Sequence, residues 1–156
     1  MIVLALIAMM ALLAAPWFVK MHQRSQIRSA AFELETTLLA ARMKAVKRNQ
    51  QVSVALVSTP TAQPIVFRTN EPPPGAGPTP IPRLLEIPAN AAQLVATPTG
   101  GVVIFGGDGR LVAPPPAPTP NVIILKGPVG AINQNTLTIE TSSGGRVKVI
   151  TPAVWQ

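Results

Sequence analysis

The chain has 156 residues, room for one modest domain, and it contains no cysteine, which excludes disulfides and thiolate metal sites. Apolar residues make up 47%, charged residues only 12%, and 18 residues are proline, which excludes a soluble helical bundle and indicates an apolar segment followed by strand- and loop-rich structure. The net charge of +7 favours anionic partners, either nucleic acid or phospholipid headgroups.

Met1 to Val19 is an uncharged run dominated by Leu, Ile, Val, Met and Ala. As a helix it spans roughly 28 Å, close to a hydrocarbon core of about 30 Å, and it is read as a transmembrane anchor. A cleaved secretory signal fits poorly. No basic residue precedes the run, and the best small-residue site, Ala14-Ala15, has Leu13 at the minus-three position and Pro16 after it. Lys20, Arg24 and Arg28 follow at intervals of four and share one helical face, as a collar at headgroup level would; a nucleic-acid contact is the weaker reading. The positive-inside rule alone holds these cations in the cytoplasm, so either the domain beyond them is cytoplasmic or further residues precede Met1.

From Ile27 the apolar positions fall at Ile27, Ala31, Leu34, Leu38, Ala41 and Ala45. Steps of four and three trace one face, so residues 20–49 are expected to continue the helix and lie on a sheet. Glu33, Glu35, Arg42, Lys44 and Lys47 sit largely off that stripe, Pro16 bends the helix without ending it, and Asn49 is the expected end.

Residues 50–156 form the expected β-rich head. Strands are predicted at 51–57, 65–68, 84–87, 94–97, 102–105, 111–112, 122–126, 136–140 and 146–150. Asp108-Gly109 marks a tight turn, and Ser142-Ser143-Gly144-Gly145 turns the final hairpin. Two proline-rich loops, 70–83 and 114–120, can be neither helix nor central strand. They act as stiff connectors; docking into an aromatic-lined groove is the weaker alternative.

Several segments resemble known sequences. Met1-Ile-Val-Leu-Ala-Leu-Ile-Ala-Met-Met-Ala-Leu-Leu-Ala-Ala-Pro16 is similar to the later part of the N-terminal helix of type IV pilins and pseudopilins, and Pro16 matches the proline of that helix. The family's leader glycine and early acidic residue have no counterpart here, and the resemblance puts Met1 a few residues inside the mature start. Val103-Ile-Phe105-Gly-Gly-Asp108-Gly109-Arg110 resembles the aromatic–x–x–Asp–Gly–Arg turn of the GspH/FimT group, the minor pseudopilins of type II secretion and their type IV pilus relatives. Gly144-Gly-Arg146-Val-Lys148-Val149 resembles that group's C-terminal strand, and the helix from Arg28 to Glu35 and from Ala40 to Asn49 is similar as well. The resemblance implies an α+β, pilin-like fold: a long transmembrane and amphipathic N-terminal helix on a small antiparallel β-sheet domain. It implies a single-pass protein of the bacterial inner membrane with its head in the periplasm. Its partners would be other pilins or pseudopilins of the same filament, membrane lipid and, in a pilus used for transformation, DNA.

Chemistry finds little support. The sole histidine, His22, lies at the membrane exit and the sole aspartate, Asp108, in a turn, so no triad is expected. Glu33 and Glu35 point to different helix faces, no metal or cofactor is expected, and Gly106-Gly-Asp-Gly109 lacks the Lys-Ser/Thr ending and following helix of a phosphate loop. Arg146 and Lys148 alternate on one face of an edge strand, with Trp155 near enough to stack on a base. They either contact successive phosphates of DNA or keep the edge soluble. Three readings follow: a structural subunit of a type II secretion pseudopilus near the filament tip, a DNA-binding minor pilin, and, should Met1 be the true start, an unrelated single-span protein with a cytoplasmic domain.

Overall fold

The apolar stripe from Ile27 to Ala45 becomes the buried face of one long helix, α1 (Ile2–Arg48), which runs unbroken through Pro16. Ile27, Ala31, Leu34, Leu38, Ala41 and Ala45 are each at most 1% exposed, and Ala30 and Thr37 join them. At 1.5 Å per residue the helix is about 70 Å long, far longer than the head needs. The computed structural model describes residues 2–57, 64–70, 83–88, 92–96, 101–112, 121–127 and 136–151. The proline loops 70–83 and 114–120, apart from the strand ends Asn70 and Arg83, lie outside the described residues, as do Trp155 and most side chains of the expected anchor. Among the described residues no helix is long and apolar enough to cross a membrane.

Asn49 ends the helix in the way its short polar side chain permits. Its φ is +48°, its N–H donates to the Val46 carbonyl (3.2 Å), and the Gln50 N–H donates to the Ala45 carbonyl (3.1 Å). This is a Schellman ending, which satisfies two of the last carbonyls and reverses the chain into the first strand. Lys47 and Arg48, in the last turn, suit the negative end of the helix dipole.

Among the described residues eight strands follow: β1 (Val52–Leu56), β2 (Ile65–Asn70), β3 (Arg83–Ile87), β4 (Gln93–Ala96), β5 (Val102–Phe105), β6 (Asn121–Lys126), β7 (Thr136–Thr141) and β8 (Val147–Ile150). All named pairings are antiparallel, and the strands divide into two four-stranded sheets, ordered β3-β2-β1-β5 and β4-β6-β7-β8. α1 packs against strands of both. Alternation is kept along them: Val52 and Val54, Ile65 and Phe67, Leu85 and Ile87, Ile123 and Leu125, Leu137 and Ile139 are buried, with their neighbours turned outward or half-buried. The expected strand at Leu111–Val112 is instead a single bridge from Leu111 to Phe105, with the Val112 N–H bonded to the Ile104 carbonyl at 2.8 Å.

Candidate functional site

The two turns that carry the family resemblance meet beneath one side chain of α1. Phe105, fully buried, anchors the end of β5 in the core. The chain then reverses, with the Gly109 N–H bonded to the Gly106 carbonyl (2.9 Å) and the Gly106 N–H to the Arg110 carbonyl (2.8 Å). Asp108 Oδ1 accepts from the Arg110 N–H at 3.0 Å, the local bond that suits Asp to a turn. In the second turn, Ser142 exchanges backbone bonds with Arg146 and Gly145, and its hydroxyl accepts from the Arg146 N–H at 3.2 Å. The Leu111 N–H reaches the Ser143 carbonyl at 3.0 Å, tying one sheet's turn to the other's. Over both lies Arg42, whose Nε donates to the Gly109 carbonyl (3.0 Å) and whose terminal nitrogen donates to the Gly144 carbonyl (3.3 Å).

Glycine is required where these turns touch. Gly109 (φ +75°) faces Val46 and Arg42, and Gly145 (φ +76°) lies against the Gly109 carbonyl, where a Cβ would overlap backbone. Both positions therefore combine a left-handed backbone with no room for a side chain. The turn residues Phe105, Asp108 and Gly109 are thus structural, while Arg110 points outward at 77% exposure and pairs with Asp108 at 3.7 Å. So exposed a pair contributes little to stability.

Arg146 and Lys148 are both exposed, with Val147 buried between them, as the sequence alternation requires. Lys148 lies on β8, an edge of its sheet, and Arg146 immediately precedes that strand. The contact between turns adds Arg110 to the same end of the head. The register also sets Glu140 directly opposite Lys148, so part of the positive charge is offset by a neighbour on the same face. Trp155 lies outside the described residues.

A second apolar line runs along α1, turned away from the core. Phe32, Leu39, Met43 and Val46 are 57%, 38%, 72% and 52% exposed, at steps of seven, four and three. At about 100° per residue, that line is centred roughly 130° around the helix from the buried stripe, with Val46 at its margin beside Gly109. The sequence reading passed over it, though the spacing that revealed the first stripe carries the second as well. Catalytic groups do not gather: His22 is bonded to Gln26 on α1 (3.1 Å), Asp108 sits in its turn, and no three potential metal ligands cluster among the described residues.

No curated protein matches the chain. In solved structures it is similar to the type IV minor pilin FimU of Pseudomonas aeruginosa strain PAO1 in two crystal forms. The P21 form gives a TM-score of 0.59 at 21% identity, covering 81% of this chain and 90% of that one. The P65 form gives 0.57 at 20% identity, covering 79% and 91%. At such identity the likeness establishes the pilin-like fold. Residues 30–151, most of the chain and both turns included, match the family of the type II transport protein GspH, and the chain belongs to that family.

Proposed function

We propose that this chain is a minor pseudopilin of a type II secretion pseudopilus, joining its filament through α1 and sitting near the tip. The observation that carries the reading is the line Phe32, Leu39, Met43 and Val46. A helix already packed on its own sheets has no internal use for a second apolar stripe, and such a stripe suits ridge-into-groove packing with another helix. The apolar run Met1 to Val19 holds the subunit in the inner membrane, with the head in the periplasm, until neighbouring helices replace acyl chains around it. Family membership sets aside the reading as an unrelated single-span protein. The subunit's work is assembly and not catalysis. Deleting its gene is expected to abolish or sharply reduce the filament's output, measured as secreted substrate, with recovery on re-expression. Undiminished secretion in the deletion strain would contradict the reading.

A second reading, capture of DNA by a type IV minor pilin, draws on Arg146 and Lys148 at an exposed edge with Arg110 nearby. Phosphate contacts without base recognition would give binding that weakens steeply with salt. Fluorescence anisotropy with a DNA duplex and the full chain in detergent, beside Arg146→Ala/Lys148→Ala, decides it. The assembly reading predicts no binding that depends on these two residues at near-physiological salt.

A further inference from the structure

Where α1 leaves the apolar run, its surface carries a recess that the assembly stripe does not use. Among the described residues Met21, Arg24, Ser25 and Arg28 line it, around a volume of about 340 Å³. All four are exposed, and Arg24 and Arg28, one helical turn apart, lie on one face, with Ser25 beside them. No acidic residue occurs in the sequence before Glu33, so Lys20, Arg24 and Arg28 set the sign of the charge along this part of the helix.

We propose that this recess binds the phosphate of an anionic phospholipid headgroup and so fixes the depth at which the helix sits, an inference that rests on reading Met1 to Val19 as a membrane anchor. Guanidinium groups pair with phosphate through parallel hydrogen bonds, and Met21 offers apolar contact to the glycerol and upper acyl region beside it. The levels agree. Arg24 stands roughly 7 Å and Arg28 roughly 13 Å beyond Val19 along the axis, while the headgroup layer on each side of a bilayer is about 5–8 Å thick. Helical side chains lean toward the N-terminus, which returns both guanidinium groups toward that layer. Ile27, fully buried and roughly 12 Å beyond Val19, is the first residue of the core stripe, so the head begins just outside the headgroup layer. A free phosphate ion would use the arginines and leave Met21 idle, which favours the lipid as the source.

The test places the full chain in bilayers of equal parts phosphatidylglycerol and phosphatidylcholine, with acyl chains of one or the other brominated. Trp17 reports quenching after Trp155→Phe removes the second indole. At about 1 kcal/mol for each basic residue near the surface, Arg24 and Arg28 together should raise the wild type's preference for phosphatidylglycerol by about thirtyfold. Arg24→Gln/Arg28→Gln should remove that increment, leaving no more than the roughly fivefold preference that Lys20 alone supports, while the chain still floats with the vesicles. Equal quenching by the two lipids in the wild type, or a preference unchanged by the double substitution, overturns the proposal. Loss of the preference on adding millimolar inorganic phosphate, at matched ionic strength, assigns the site to the free ion and also overturns it. Failure to float with vesicles of either composition instead sinks the anchor reading.

Discussion

Replacing Leu39 and Met43 with glutamate together should abolish incorporation of the chain into filaments while leaving the head as stable as before. Neither side chain belongs to the buried core; Met43 is 72% exposed and Leu39, 38% exposed, gives up only contacts at the margin of the core. Glutamate is also a good helix former, so the backbone is not disturbed. Within a helix–helix contact the outcome differs. Each carboxylate buried among apolar groups without a partner costs several kcal/mol, and two of them should lower association by on the order of a thousandfold or more. The measurement is the amount of chain in the sheared filament fraction, beside unfolding of the purified protein. Normal incorporation of a stably folded double variant would mean that this face is not an assembly surface.

The neighbouring position should answer in the opposite way. Leu38→Ala removes a fully buried side chain from beneath α1 and should destabilise the head by about 2–5 kcal/mol. Leu39→Ala, one residue along, empties an exposed position and should change stability by less than about 1 kcal/mol. Urea unfolding of the two variants, followed by near-ultraviolet circular dichroism, separates them. Two similar midpoints would mean that the inner and outer faces of α1 have been assigned wrongly.

These paired expectations show which parts of the architecture are local. Ile27 to Ala45 could be read as the core face because each residue repeats the helical period, and the strands because Val52 and Val54 or Leu137 and Ile139 alternate. Asn49 was legible as a helix end because an amide side chain tolerates positive φ. The division into two sheets was not. It turns on β4 leaving for the second sheet and β5 returning to pair with β1, choices made by contacts far apart in sequence. The sequence shows of Arg42 only that it sits off the apolar stripe. Its acceptors at Gly109 and Gly144 lie 67 and 102 residues away, and only the folded chain brings them to one guanidinium.

The same junction changes how the motif residues are understood. Phe105, Asp108 and Gly109 build a turn, Gly145 lets the second turn close against it, and Arg42 holds both to α1. The Nε bond alone, from a charged and part-buried donor, contributes about 1.5 kcal/mol by the usual range for such bonds. Helix and both sheets are therefore fastened where the outer apolar line ends at Val46, so a neighbour docking on α1 meets a head whose orientation is already set. The exposed side chains of Arg110, Arg146 and Lys148 take no part in this fastening.

The proposed assembly requires the outer face of α1 to pack against the helix of another subunit. The most direct measurement is site-specific photo-crosslinking in cells, with p-benzoylphenylalanine replacing Met43 and, as a reference, replacing the exposed Leu84 of β3. Capture of a second pilin-like subunit through its N-terminal helix, from position 43 and not from position 84, is the result this account predicts. Absence of any such adduct from position 43 in cells whose filaments still contain the variant would contradict it.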